Sequence, residues 1–163
     1  MPVSRLSKPL LVGESNPYGS DPHFALYPLP EGGSGHRLCR RILGMRCADY
    51  LRAFDRANLC AGDWSEAYAK KSARAVLSEI GRVILLGSKV CRAFSASFIP
   101  FATTDVAYSP SSVVTALILP HPSGRSRIWN DPTAVARTRA AVVAFCPELA
   151  HLIGAVDEDG DQT

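Results

Sequence analysis

The chain has 163 residues, an apolar content of 47% and a formal charge of +3, enough to bury a core within one domain without help from a metal or disulfides. Cys39, Cys47, Cys60, Cys91 and Cys146 are odd in number, scattered and free of any C-x-x-C pair, which argues against a disulfide framework and a zinc ribbon and suits a reduced cytosol. No apolar run approaches membrane-spanning length and residues 1–8 lack a signal-peptide core, so a soluble, cytoplasmic protein with no membrane partner is expected.

In chain order, the apolar run at residues 9–12 predicts a first strand, followed by a long Pro- and Gly-rich loop to Gly35. A helix follows from Gly35 to about Leu43, with Leu38 and Ile42 facing inward and Arg37, Arg40 and Arg41 outward as a solvated face. Ala48 to Phe54 predicts a short helix and Arg56 to Cys60 a strand. Ser65 is the expected N-cap of a helix reaching Ile80, with Ala67, Ala69, Ala73, Val76 and Ile80 on its apolar side. Residues 82–86 form the third strand, Ser88 caps a helix from Lys89 to Phe94, and Val113 to Leu119 is the fourth strand. Asp131-Pro132-Thr133 opens a last helix to about Phe145, with proline in the first turn. The alternation predicts an α/β fold: a three-layer α/β/α domain over residues 1–155 around a central, mostly parallel four-stranded sheet. Residues 156–163, rich in Asp and Glu, are expected to be a disordered acidic tail. Outside that tail the chain is moderately basic, which suits a polyanionic partner but is shared by many metabolic enzymes.

Two loops carry most of the chemical information. Leu10-Leu11-Val12-Gly13-Glu14-Ser15-Asn16-Pro17-Tyr18-Gly19 ends an apolar run in a carboxylate, a carboxamide and a proline-stiffened turn. Leu119-Pro120-His121-Pro122-Ser123-Gly124-Arg125-Ser126-Arg127 ends another in an imidazole between two prolines. Buried strands in open α/β sheets deliver such loops to one crevice. By residue type alone, Glu14 is either a water-activating carboxylate or a brace for its own loop, His121 either an acid/base group or a backbone-satisfying loop histidine, and Asn58 either a reader of a polar edge or a strand-end cap. Gly32-Gly33-Ser34-Gly35 resembles a phosphate cradle but lacks the lysine of a P-loop. His23, His36 and His151 have no metal-ligand spacing, and no metal site is expected.

The two loops resemble the paired active-site motifs of the uracil-DNA glycosylase superfamily, in which a G-x-[D/N]-P-[Y/G] or G-E-A-P-G loop follows the first strand and an H-P-S or N-P-S-G loop follows the last. Gly35-His36-Arg37-Leu38, Arg56-Ala57-Asn58-Leu59-Cys60 and Val83-Ile84-Leu85-Leu86-Gly87 are similar to the segments between them, so the resemblance spans about residues 9–150 in order.

The resemblance implies a monomeric, monofunctional DNA glycosylase that needs no cofactor and cleaves the bond between deoxyribose and an aberrant or modified pyrimidine of DNA. His121 would stabilise the departing base anion, and Asn16 would orient the attacking water, with Glu14 as second candidate because the first loop holds one residue more than the pattern and brings Ser15 to the catalytic place. Asn58 would pair with the edge of the flipped base, Tyr27 or its rival Phe24 would stack on it, and Tyr18 would crowd its C5 position. Ser123, Gly124, Arg125, Ser126 and Arg127 would form the loop that grips phosphates and fills the space left by the base, while Ile128 and Trp129 would cover the last helix. The superfamily's iron–sulfur members place two cysteines near the N-terminus. The first here is Cys39, which argues against a cluster. Uracil is the first expectation for the base, and a 5-modified base of viral DNA, with a role in antiviral defence, the second. The rival readings are a non-catalytic DNA-binding module of the same fold and a small-molecule, nucleotide-binding α/β enzyme.

Overall fold

The computed structural model describes residues 7–15, 21–77 and 81–158. β1, Leu10–Ser15, leads through a loop with a 3₁₀ turn at Pro22–Phe24 to α1, Ser34–His36, which runs directly into a π-helical turn, Arg37–Ile42. Then come α2 (Cys47–Ala53), β2 (Asp55–Cys60), α3 (Glu66–Val76), β3 (Arg82–Leu86), α4 (Ser88–Ala93), β4 (Thr103–Ser109) and β5 (Ser112–Leu119). A 3₁₀ turn at Arg127–Asn130 precedes α5 (Pro132–Phe145), and α6 (Ala155–Glu158) is the last described element.

The sheet has five strands in the order β2-β1-β3-β5-β4. β2, β1, β3 and β5 are parallel, and β4 pairs antiparallel to β5 at the edge. The sequence expectation of an α/β/α fold therefore holds, with the strand count corrected from four to five. β4 escapes a sequence reading because it is an edge strand: of Thr103 to Ser109 only Val106 is buried, and its polar side chains leave no two-sided apolar run. The neighbouring pair Asp105 and Thr115 instead meets side chain to side chain across the hairpin, Thr115 Oγ1 lying 3.4 Å from Asp105 Oδ1.

The inner strands β1, β3 and the second half of β5 are apolar on both faces because helices cover both faces. Leu10, Val12, Val83, Leu85 and Ile118 pack with Ala69, Ala73, Leu77, Val90 and Cys91 of the α3 and α4 side. Leu11, Ile84, Leu86, Leu117 and Leu119 point the other way, into Leu38, Ile42, Tyr50, Phe54 and Val142 of the α1, α2 and α5 side. The chain passes from β1 outward to β2 and then back across β1 to β3, so the direction of winding reverses between β1 and β3. Such a switch point opens a crevice at the carboxyl ends of the strands.

Local signals set most helix starts. Ser65 accepts from Tyr68 N and Asp131 from Thr133 N, each as an N-cap, with Pro132 in the first turn of α5. α3 is shorter than expected: it ends at Val76, its Ala67 is exposed, and Ile80 lies outside the described residues. α4 begins at Ser88 itself, one residue before the predicted start, with Gly87 at the cap position in a turn of φ +96° that is open to glycine at little cost. At the other end, Gly154 N donates to Leu43 O at 2.8 Å and Val156 N to Gly44 O at 3.1 Å, and the turn of α6 continues through Glu158. The acidic tail expected over residues 156–163 thus begins within α6. Residues 159–163 lie outside the described set.

Candidate active site

Glu14 and Ser15 end β1, Asn58 stands near the end of β2, and His121 follows β5 by two residues, so three parallel strands deliver them to the same edge of the sheet. There they line a cleft of about 210 Å³ whose remaining walls include Phe24, Leu26, Tyr27 and Leu29 of the first loop and Gly33, Ser34 and Gly35 at the start of α1. The cleft holds a carboxylate, an imidazole, a carboxamide and two aromatic rings around space for a single ring-sized group.

His121 has a defined tautomer. The backbone N–H of Ser123 donates to its Nδ1 at 3.2 Å. A backbone amide can only donate, so Nδ1 is the acceptor nitrogen and Nε2 carries the proton of the neutral ring. Burial holds the imidazole below its ordinary pKa, opposed by the nearby Glu14 carboxylate and assisted by the Lys89 ammonium. The loop itself is anchored three times. Trp129 Nε1 donates to His121 O at 2.8 Å, and Arg37 Nε donates to Pro122 O at 3.2 Å. Gly87 closes the third side: a Cβ there would stand 3.0 Å from His121 Cβ, so the β3 end can approach the histidine only as glycine.

One of these anchors differs from the sequence expectation and one adds to it. Arg37, assigned to a solvated face, reaches from the π-helical turn to the His121 loop, because the wide turn at Arg37–Ile42 re-aims its side chains. Trp129 does pack against the α5 side of the core as expected, and it adds the hydrogen bond to the histidine's own carbonyl.

Asn58 pairs in register with Gly13 of β1. A Cβ on Gly13 would lie 2.4 Å from Asn58 Oδ1, so the missing side chain is what lets the carboxamide sit there. Oδ1 is buried and makes no hydrogen bond among the described residues. An unpaired buried acceptor costs on the order of 1–3 kcal/mol, and such groups persist where a function uses them. Glu14 Oε2 stands 4.0 Å from Lys89 Nζ, which itself lies 5.9 Å from the centroid of the Trp64 ring.

Phe24 and Tyr27 both line the cleft, their rings meeting edge to face at 5.4 Å and 76°. The loop that carries them is fixed from behind by Tyr50 Oη, which donates to Leu26 O at 2.9 Å, and by Arg56, which donates to Ala25 O at 2.8 Å and lies 5.5 Å from the Tyr27 ring centroid. Asn16 and Tyr18, expected to orient water and crowd the base, lie outside the described residues. Ser123, Gly124, Arg125, Ser126 and Arg127 are not part of the cleft wall. They form the turn that leaves it, closed by Ser126 N donating to Ser123 O at 3.2 Å, with Gly124, Arg125 and Arg127 exposed.

Sequence reasoning missed Lys89 as part of the site and gave Gly13 and Gly87 only as positions in the two motif segments, without the close approaches they permit. Among the described residues no group of three or more His, Cys, Asp or Glu side chains is arranged to hold a metal ion, and no helix is long and apolar enough to cross a membrane. All five cysteines are free thiols. No family model, curated protein or solved structure matches the chain.

Proposed function

We propose that the chain is a DNA N-glycosylase that hydrolyses the glycosidic bond of a flipped-out aberrant or modified pyrimidine and leaves an abasic site. The observation that carries this reading is the Ser123 N–H···Nδ1 bond of His121, which presents a neutral Nε2–H donor in a cleft also lined by Asn58 and two aromatic rings. When the bond between C1′ and the pyrimidine N1 breaks, its electron pair passes to the base, and a preset donor is worth most where that charge develops. Nε2–H of His121 donates to the base O2 as it becomes anionic. The Asn58 carboxamide pairs with the edge of the base, one ring of the edge-to-face pair Tyr27 and Phe24 stacks on its face, and Glu14 accepts from the water whose oxygen joins C1′. Arg125 and Arg127, exposed on the turn after His121, are suited to phosphate contacts that any sequence supplies.

The test is a panel of end-labelled DNA carrying uracil, mismatched thymine, or 5-hydroxymethylated and glucosylated cytosine, each treated with alkali after incubation. Breaks at the defined base only after alkali support a monofunctional glycosylase and name its base. Salt-sensitive DNA binding with no break on any substrate transfers the reading to a DNA-binding module of this fold.

A further inference from the structure

Phe24 is 43% and Leu29 55% exposed, although buried Ala25, Leu26 and Pro28 stand among them. With Tyr27 and Pro30 they line a second, open hollow of about 350 Å³ on the first loop. Phe24, Tyr27 and Leu29 also line the cleft, so the two cavities share their walls and lie side by side. This second hollow is uncharged and mostly apolar, with the Tyr27 hydroxyl as the polar side-chain group of its walls. It is also backed by fixed structure: the Tyr50 and Arg56 hydrogen bonds hold the loop carbonyls, and Gly35 packs flat against the backbone of Leu26 and Tyr27.

The size of the hollow selects its occupant. A stable protein partner covers about 800 Å² on each side, far beyond four side chains. A planar ring needs only a face, and stacking on aromatic and apolar side chains is how unpaired bases are held without regard to sequence. Adjacent bases of one strand require adjacent sites, which the shared walls provide.

We propose that the hollow of Phe24, Tyr27, Leu29 and Pro30 is a stacking site for the nucleobase next to the one held in the cleft, and that the preferred substrate is a strand whose flanking base is already unstacked. This rests on the glycosylase reading above and adds a second base-binding position to it. Leu29 determines the affinity for the flanking base.

The experiment is fluorescence anisotropy with a short single strand carrying one fluorinated, uncleavable deoxyuridine, compared with the same strand in which both neighbours are abasic. The wild type binds the base-flanked strand about tenfold more tightly. In Leu29→Ser that ratio falls towards one, and in Leu29→Phe, where a ring replaces the aliphatic wall, it is kept or increased. A ratio of one in the wild type, or the same ratio in wild type and Leu29→Ser, overturns the stacking site. Alkali-dependent breaks on cleavable versions of the strands separate the two ideas: excision with a flank ratio of one overturns only the stacking site. Neither excision nor binding overturns both. A wild-type dimer in sedimentation that Leu29→Ser dissociates, with the flank ratio unchanged, gives the hollow to a second copy of the chain and overturns the proposal.

Discussion

Ser123 N–H and His121 Nδ1 are joined at 3.2 Å across a single intervening proline, and this bond decides which nitrogen of the imidazole is free to donate. Replacing His121 by Ala removes the donor to the leaving base. Single-turnover excision should fall by about 10²–10³-fold, the range for loss of one preorganised donor, with DNA binding retained. Ser123→Pro deletes the N–H that selects the tautomer, together with the Ser123 hydroxyl and the freedom of the turn, and should lower the rate in the same direction. Unchanged excision in His121→Ala would remove the histidine from the chemistry.

The pH dependence follows from the depressed pKa of His121. The neutral ring is the active form, so the acid limb of the rate should lie below the ordinary imidazole value of 6.5. Lys89 lowers that pKa and Glu14 raises it. The acid limb should therefore move to higher pH in Lys89→Ala and to lower pH in Glu14→Gln, whatever happens to the maximal rate. Stability follows the same sign: the unfolded chain binds the extra proton, so the histidine's contribution is present above the unfolded pKa and is lost as pH falls towards the folded one. Limbs that shift in the opposite senses would show that these two charges do not act on His121.

Gly13→Ala places a methyl where Asn58 Oδ1 sits, at 2.4 Å, and so must displace the carboxamide. Selectivity for the preferred base over its nearest competitor should fall by about tenfold or more, equivalent to about 1.4 kcal/mol of transition-state binding. The ratio of kcat/KM values on the two bases measures it. An Asn58→Ala variant should show the same loss, and the Gly13→Ala, Asn58→Ala double variant little more, because both changes act on one contact.

Tyr50→Phe removes the buried hydroxyl that pairs with Leu26 O at 2.9 Å and leaves that carbonyl unsatisfied. Urea unfolding should report a loss of about 1–3 kcal/mol. The same variant should weaken base binding, since the Phe24 and Tyr27 loop hangs on this bond.

The strands β1, β3 and β5 and the helices α3 and α5 were legible because each is written in a short window: a buried apolar run, an N-cap at Ser65 or Asp131, a proline in the first turn. That Glu14 and His121 stand where buried apolar runs stop was legible for the same reason, and from strand ends alone a common crevice follows, whereas Asn58 came only from the resemblance. β4 was not legible, since its polarity fits a loop as well as an edge, and its pairing depends on β5 being exposed on that side. The apposition of Gly13 with Asn58 and of Gly87 with His121, the 4.0 Å approach of Lys89 to Glu14, and the reach of Arg37 to Pro122 are all contacts between distant parts of the chain. Local sequence determines which segments become strands and which side chains stand at their ends. Strand register, the crossovers and the wide turn at Arg37–Ile42 decide which of those side chains meet, because these are set only when the two apolar faces of the sheet are buried together.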